Sequence, residues 1–216
     1  MKYALALVLV VTAACGKKPA PPVPAGTAVV PGPVRMRGTL LSHDSSLVLV
    51  ACGTAVERAV TTLPSAQLRD ALVSVAGANG DSMYVEFIAD TTGGRIVARE
   101  TLFARSLAEG SGCDRTRYPY DFEALGTEPF WHVTLDSAQL VLERPEAPLE
   151  LAFVADPPVT RGALTTITAR RSEGQVRELK LSLLRDACRD GMSDSWYPFR
   201  AEVRFGDAAM HGCARR

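Results

Sequence analysis

The sequence lacks the short motifs that mark the common catalytic sites. It contains no G-x-S-x-G elbow, no H-E-x-x-H, no Walker A loop and no G-x-G-x-x-G. Histidine is scarce, with three residues: His43, His132 and His211. His43-Asp44-Ser45 has the residue types of a serine triad, but triad members come from separate elements and adjacent residues cannot adopt that geometry. We therefore expect neither an enzyme nor a cofactor.

Neither sign of charge is in excess. The chain has 24 Lys and Arg residues against 24 Asp and Glu residues, a formal net charge of +0. Nucleic-acid-binding proteins need a basic face to neutralise phosphates. The balance therefore gives no electrostatic case for a nucleic-acid partner.

A long hydrophobic run is also missing. The longest apolar run near the N-terminus, residues 4–11 (ALALVLVV), follows the positive Met1-Lys2. A membrane-spanning helix needs about 20 apolar residues, so this run is too short to remain as an anchor. Small residues then lead into Cys15, which resembles the bacterial lipobox, where a signal peptide is cut before a cysteine acylated on sulfur. We expect residues 1–14 to be a signal peptide and Cys15 to carry palmitate-type acyl chains, the alternative being an ordinary secretory signal.

The segment that follows Cys15 is rich in proline. Residues 16–33 hold six prolines and have no regular apolar period. Such segments stay extended and act as semi-rigid tethers. Residue 16 is Gly and not Asp, which by resemblance to known sorting behaviour favours the outer membrane over the inner one. The predicted location is the cell envelope, with the protein anchored in membrane lipid and facing the periplasm.

The first folded half, residues 34–113, has a pattern of three strands, one helix and two strands. The helix is predicted at 64–76, where Leu68, Ala71, Leu72 and Val75 recur at i, i+3, i+4 and i+7. Short β-branched runs broken by turn formers predict the strands at 35–41, 46–52, 55–61, 82–89 and 95–104. This order is compatible with a small OB-like Greek-key barrel.

The second half, residues 118–216, alternates strictly between apolar and polar residues. The alternation is clearest at 131–136, 179–183 and 199–205. A period of two places one face in a core and one in water, which is typical of antiparallel strands. Turn residues recur about every ten residues, a spacing that favours an up-and-down barrel or a sandwich, with no second helix. The predicted fold class is therefore mainly β.

Cysteine is present in an odd number: Cys15, Cys52, Cys113, Cys188 and Cys213. If Cys15 carries lipid, the other four form an even set in an oxidising compartment, which allows three disulfide pairings. We favour Cys52–Cys113 and Cys188–Cys213, because each pair then lies within one half. No C-x-x-C spacing is present, so a structural metal site is the weaker interpretation.

Two segments of the second half carry a family resemblance. Residues 126–131 fit G-x-E-P-F-W, and residues 188–194, 197–198 and 212–214 fit C-x-D-G-M-S-D-x-x-Y-P…G-C-A. Together they resemble an uncharacterised family of bacterial envelope proteins, often lipoproteins. The resemblance implies an envelope location and a β fold, and it brings no known reaction.

The first half is similar to the OB-like domain of NlpE-type copper-resistance lipoproteins. The similarity is carried by the G-T-L-L run at 38–41, the A-C-G-T turn at 51–54 and M-Y-V-E at 83–86. It implies the same OB-like fold for this half.

The two motifs of the second half have two interpretations. In the structural one, Asp190-Gly191 forms a turn with Asp190 and Asp194 accepting backbone N–H groups, and Pro129 leads into a strand whose Phe130 and Trp131 cover a barrel end. In the functional one, a binding surface is formed by Asp190, Ser193, Asp194, Trp196, Tyr197 and Trp131.

Two chemical alternatives stay open. Met192, Met210 and His211 offer soft ligands for Cu(I) if they converge. Asp190 and Asp194 could form a hydrolase pair, although nothing in the sequence fixes their separation. No other metal site is predicted.

The sequence as a whole favours a membrane-anchored envelope lipoprotein that acts as a non-catalytic binding or envelope-stress module. The expected partner is another envelope protein, a glycan or a small ligand, and a lysozyme-type inhibitor is one concrete version. A copper-binding lipoprotein is the first alternative and an envelope hydrolase the second.

Overall fold

The structure, a computed structural model, describes residues 32–43, 46–62, 69–72, 75, 82–107, 112–113, 120–146, 149–173 and 178–216. The predicted signal peptide, Cys15 and most of the tether lie outside the described residues. So do Asp44, Ser45 and Leu68. The lipidation and tether predictions therefore stay predictions.

Five strands of the first half close into a small barrel. They are β1 (Val34–His43), β2 (Ser46–Ala51), β3 (Glu57–Thr62), β4 (Ser82–Thr92) and β5 (Arg95–Ser106). β1 pairs antiparallel with β2 and β4, β2 with β3, and β4 with β5, whereas β3 and β5 are parallel. The order β1-β2-β3-β5-β4 closes back on β1. This is the Greek-key arrangement of an OB-like barrel, and the prediction is confirmed.

Helical residues lie between β3 and β4, where the helix was predicted. Residues 69–72 and 75 are helical, and Ala71 and Val75 pack fully buried against the barrel core. Their i, i+4 spacing puts both on one helix face. Among the described residues, no helix has the length and apolar character needed to cross a membrane.

The second half forms an eight-stranded antiparallel barrel. Its strands are β6 (Phe122–Thr127), β7 (Phe130–Asp136), β8 (Gln139–Glu143), β9 (Glu150–Ala155), β11 (Leu164–Arg170), β12 (Glu178–Leu184), β15 (Phe199–Phe205) and β16 (Ala208–Arg215), with the short β10 (Val159–Arg161) added beside β11. Each barrel strand pairs with the next one along the ring, and β9 with β11 and β16 with β6 complete the closure. Of the two predicted forms, barrel or sandwich, the structure is the barrel.

The alternating residues of the second half fill this barrel. Val133 and Leu135 of β7, Leu181 of β12 and Val203 of β15 are almost fully buried in one cluster. Their polar neighbours along each strand are half-buried or exposed. The period of two therefore predicted correctly which residues face the core.

A hairpin from the second half joins the first barrel. Between β12 and β15 the chain forms β13 (Cys188–Arg189) and β14 (Ser195–Tyr197), and β14 pairs with β5 through Trp196 opposite Ala104. Trp196 is 1% exposed and belongs to the core of the first barrel. The first sheet thereby gains two strands that the sequence places some 80 residues after β5.

Both favoured disulfides form. The Cα atoms of Cys52 and Cys113 are 5.3 Å apart, and those of Cys188 and Cys213 are 5.5 Å apart. Cys188 and Cys213 also belong to an apolar cluster that joins the barrels, together with Tyr84, Phe103 and Tyr197. The first disulfide lies within the first half, and the second joins β13 to β16.

Candidate functional site

Three motif segments that are far apart in sequence meet at one pocket. The pocket has a volume of about 410 Å³. It is lined by residues 125–127 at the end of β6, 188–190 of β13 and its loop, 200–201 of β15 and 211–213 of β16. We call it the motif pocket and take it as the candidate site, because both halves of the sequence signature contribute to its wall.

A larger groove lies elsewhere on the second barrel. Its volume is about 930 Å³, and it is bordered by residues 136–139, 150–154 and 170–173. None of the described motif residues borders it. Size alone therefore does not identify the site, and the convergence of the motifs favours the smaller pocket.

Two motif glycines allow the close packing behind the pocket. A Cβ atom at Gly126 would lie 2.1 Å from Nε1 of Trp131, and one at Gly212 would lie 1.9 Å from the carbonyl oxygen of Leu125. Neither distance is compatible with a larger side chain unless the strands move apart. Both positions thus need glycine for packing, which accounts for part of the motif without a ligand.

Trp131 is a core residue and not part of a binding surface. Its side chain is 0% exposed, and its indole N–H donates to the carbonyl oxygen of His211 at 3.3 Å. The neighbouring Phe130 is 55% exposed because alternation along β7 turns it outward. The prediction that both aromatics cover a barrel end is therefore wrong for Phe130, and the surface role predicted for Trp131 is corrected.

Asp190 holds its own loop in place. Its Oδ1 atom accepts hydrogen bonds from the backbone N–H groups of Met192 and Ser193, at 3.1 and 2.8 Å. Its Oδ2 atom accepts from the hydroxyl of Ser193 at 2.6 Å and from that of Tyr197 at 3.5 Å. Gly191 has a φ of 78°, a left-handed conformation that suits glycine. The predicted turn is confirmed, and the carboxylate is occupied by donors of its own loop and by the hydroxyl of Tyr197 on β14.

Asp194 has a different role from Asp190. Its carboxylate lies 3.8 Å from the guanidinium of Arg189, and its carbonyl oxygen accepts from the backbone N–H of Ser106 at 3.0 Å. The backbone of Asp194 therefore ties the loop to the end of β5. Ser193 and Asp194 are half-buried at the surface of the loop.

The other two predicted surface aromatics are buried. Trp196 fills the core of the first barrel, and Tyr197 is packed edge-to-face on Phe103, with ring centroids 5.3 Å apart. Burial, together with the charge of Asp190, raises the pKa of Tyr197 well above its ordinary value. Of the six residues predicted for a binding surface, Asp190 is the one that lines the motif pocket.

The polar rim of the motif pocket is mainly basic. The side chains of Arg189 and Arg200 are 52% and 61% exposed. The Nε atom of Arg200 donates to Asp186 at 2.6 Å, while the ion pair of Arg189 is longer than a hydrogen bond. His211, also exposed, completes the rim.

The predicted copper ligands do not share one site. Met210 is buried in the core of the second barrel, and alternation along β16 places His211 on the opposite face. Met192 is 80% exposed on the Asp190 loop, and Cys213, the neighbouring thiol that a soft copper site could use, is oxidised in a disulfide. Within the described part of the chain, no group of three His, Cys, Asp or Glu residues could hold a metal ion.

Sequence reasoning missed a chain of charges that runs between the barrels. Glu86 of β4, 4% exposed, accepts from Arg35 at 2.6 Å and from the hydroxyl of Tyr84 at 2.9 Å. Arg215 of β16 lies 3.6 Å from Glu86 and donates to Glu123 at 2.7 Å. The residues come from strands of both halves, so only the strand pairing could have revealed their contact.

The chain of charges continues to His132 on β7. One ring nitrogen lies 2.9 Å from Glu123, and the other lies 3.3 Å from Glu143. The hydrogen bond with Glu123 raises the pKa of His132 despite burial. For Glu123, burial acts in the opposite direction and raises the pKa. The hydrogen bonds and charges of His132 and Arg215 have a larger effect than burial, so the pKa of Glu123 is below its ordinary value. Burial and the neighbouring Glu86 raise the pKa of Tyr84 to about 12.

Comparison with known proteins gives no relative. No family model matches the chain, and neither the curated proteins nor the solved structures give a match. The fold and the site define a class: a mainly β protein of two closed barrels, which are joined by an inserted hairpin and crosslinked by two disulfides. The resemblance to envelope lipoproteins rests on the motif residues alone.

Proposed function

We propose that this chain is a membrane-anchored lipoprotein of the bacterial envelope that acts as a non-catalytic binding module, with the motif pocket as its binding site. The acylated Cys15 would hold it in membrane lipid, in the outer membrane facing the periplasm. The captured partner would be an envelope protein, a glycan or a small ligand.

The observation that carries the proposal is the convergence of the motif segments at one pocket. Residues 125–127, 188–190 and 211–213 line it, although the first and last are separated by more than 80 positions. Its volume of about 410 Å³ falls in the range of small-molecule and side-chain binding pockets.

The wall of the pocket is also fixed in advance. The Cys188–Cys213 disulfide joins two of the segments, and Asp190 restrains the loop beside them. A preformed site loses less conformational entropy when it binds, and this increases affinity. Such rigidity suits recognition.

The binding role is tested by photo-crosslinking in the source bacterium. A photoreactive amino acid replaces Met192, which is exposed and two residues from Asp190 of the pocket wall. We expect a discrete adduct, lost when Thr127→Trp fills the pocket and kept with Thr168→Trp. Thr168 is a half-buried threonine on the same barrel that does not border the pocket. An adduct that survives Thr127→Trp in a folded protein would contradict the proposal.

The anchor is tested by the intact mass of protein extracted from membranes. We expect a chain that starts at Cys15, is heavier by its acyl groups, and is alkylated at four cysteines only after reduction. A chain that lacks acyl mass would refute the lipoprotein part and leave the binding role standing.

A further inference from the structure

The charged side chains of the motif pocket carry more hydrogen-bond donors than acceptors. Its charged side chains are those of Arg189, Arg200 and Asp190, with His211 as a further polar group. A guanidinium carries five N–H donors and no acceptor, while an ionised carboxylate only accepts. The ligand chemistry therefore depends on which of these groups are already used within the protein.

Asp190 is already used. Its two oxygens accept four hydrogen bonds from Met192, Ser193 and Tyr197. A carboxylate has about four lone-pair positions. A bound molecule that needs an acceptor would therefore find this carboxylate occupied.

The two arginines are only partly used. Arg200 donates through Nε to Asp186. Among the described residues its two terminal nitrogens have no hydrogen-bond partner, so they can bind a ligand. Arg189 faces Asp194 at 3.8 Å, beyond hydrogen-bond distance. In the Arg189–Asp194 and Arg200–Asp186 ion pairs, about half or more of each side chain is exposed to solvent. Exposed pairs of this kind contribute roughly 0–1 kcal/mol, so a ligand can displace or share them at little cost.

We propose that the motif pocket binds an anionic oxygen group, a carboxylate or a phosphate, held by the guanidinium groups of Arg189 and Arg200. The inference rests on the proposed function, since it names the ligand class of the same site. Planar guanidinium groups bind both kinds of oxyanion through paired hydrogen bonds. The ring of His211 adds a third polar contact at the rim. The carboxylate would come from a peptide and the phosphate from a phosphorylated envelope component.

The test is a titration of the full mature chain in detergent micelles, followed by NMR. The probes are inorganic phosphate, acetyl-alanyl-alanine with its free carboxylate, and the C-terminal amide of the same dipeptide. We expect saturable shifts at Thr127 and Gly212 and at the Nε groups of both arginines. Shifts with phosphate alone or with the carboxylate alone support the proposal and identify the source, and shifts with both support the shared chemistry. The neutral amide is expected to give none.

Variants connect the signal to the pocket. Arg189→Gln and Arg200→Gln are each expected to weaken binding at least tenfold. Arg161→Gln, which changes an exposed arginine of β10 outside the pocket, is expected to leave it unchanged. Because both rim arginines are exposed, the variants should fold, and their melting curves check this. Equal affinity for the amide, no saturable shift, or full affinity in both rim variants would overturn the inference.

The two proposals can fail separately. If the crosslink at position 192 depends on Thr127 but neither anion binds, the pocket is a binding site for a neutral partner and only the anion inference is wrong. If anions bind but the crosslink ignores Thr127→Trp, the partner of the intact protein binds elsewhere.

Discussion

His132 shows how a single residue acquires its properties from neighbouring strands. It lies between Glu123 of β6 and Glu143 of β8, within hydrogen-bond distance of both. Its side chain is 24% exposed. This environment favours the protonated imidazole, so the pKa of His132 is raised in the folded protein.

The stability should therefore depend on pH through His132. Since the folded-state pKa lies above the unfolded value of about 6.5, the stabilisation is complete below that pH and is lost as the pH rises through the folded-state pKa. We expect His132→Gln to lower the free energy of unfolding by roughly 1 kcal/mol at acidic pH and by less in alkaline solution. Urea denaturation across this range measures the difference.

Thr134→Ala is the matched control, since Thr134 lies two residues along on the same face of β7 and does not titrate. A wild-type minus His132→Gln difference in the free energy of unfolding that grows as the pH rises would contradict the assignment.

At acidic pH the titration of Glu123 also affects the stability. Because the pKa of Glu123 is lowered, the contribution of Glu123 is lost as the pH falls below its unfolded value, about 4.3, through the folded-state pKa.

The two tryptophans form a natural pair for comparison. Trp131 and Trp196 are both almost fully buried, one in each barrel. The indole N–H of Trp131 donates to His211, whereas that of Trp196 has no partner among the described residues. A buried N–H without a partner costs roughly 1–3 kcal/mol, and a satisfied one contributes about 1 kcal/mol.

We therefore expect Trp131→Phe to destabilise the protein more than Trp196→Phe, by roughly 2–4 kcal/mol, because the first variant loses a hydrogen bond and the second removes an unpaired donor. Both variants lose similar ring volume, so the comparison isolates the indole N–H. Guanidinium denaturation of the two variants measures it. Equal losses would mean that the partner of the indole has no effect.

The hairpin of β13 and β14 is the element that departs most from a simple two-barrel chain. It leaves the second barrel after β12, adds to β5 and places Trp196 in the first core. The Cys188–Cys213 disulfide then ties its first strand to β16. The hairpin is thus held at both barrels.

Removing either disulfide should destabilise the fold according to the loop that it closes. The separations are 61 residues for Cys52–Cys113 and 25 for Cys188–Cys213. From loop-closure entropy we expect double alanine variants to lose roughly 4.3 and roughly 3.5 kcal/mol. Chemical denaturation of the two variants and the wild type measures these losses. A negligible loss for the second pair would mean that β14 alone holds the hairpin.

For the molecule as a whole, Arg215 is a largely buried polar residue that connects the barrels. It contacts Glu86 of the first barrel and Glu123 of the second, and its guanidinium lies 4.4 Å from the centre of the Phe103 ring. Its side chain is 12% exposed. Loss of Arg215 removes a cation shared by two carboxylates, of which Glu86 keeps Arg35 and Glu123 keeps His132 as partners.

Because Glu86 and Glu123 keep other partners, Arg215→Met is expected to cost roughly 1.5–3 kcal/mol in the free energy of unfolding, the range for a hydrogen bond to a charged group. Arg204→Met, which breaks an exposed pair with Glu202, should cost at most about 1 kcal/mol. Hydrogen exchange should show lost protection in β4 and β6 of the first variant. Similar losses in both variants would refute a bridging role for Arg215.

Much of this architecture follows from local patterns. The predicted strands at 35–41, 82–89 and 199–205 lie within β1, β4 and β15, because a period of two in apolar residues reflects the faces of a single strand. The Asp190 turn was predicted from the turn-forming pair Asp190-Gly191, which is also a local signal, since the backbone donors to Asp190 lie two and three residues away. The disulfide pairing followed from dividing the chain into halves.

The candidate site was harder to predict. Trp196 and Tyr197 looked like surface aromatics because nothing near them in sequence indicates that β14 joins the other barrel. Arg215 and His132 lie outside the motifs, and Glu86 lies in the M-Y-V-E run at 83–86, which predicted no role for it. The contacts of all three depend on strand register. The pocket rim contains Arg200. The alternation at 199–205 predicted its strand, but nothing in the sequence indicated a binding role for this residue.

The amino-acid sequence determined which segments become strands, which side of each faces a core, and where the chain turns. These properties depend on residues within a few positions of one another. The folded structure decided which strands close each ring, that Trp196 fills the first barrel, and that residues 126, 189 and 212 border one pocket. Those outcomes depend on pairings between distant strands, whose register is set by the packing of the whole core and not by any local pattern.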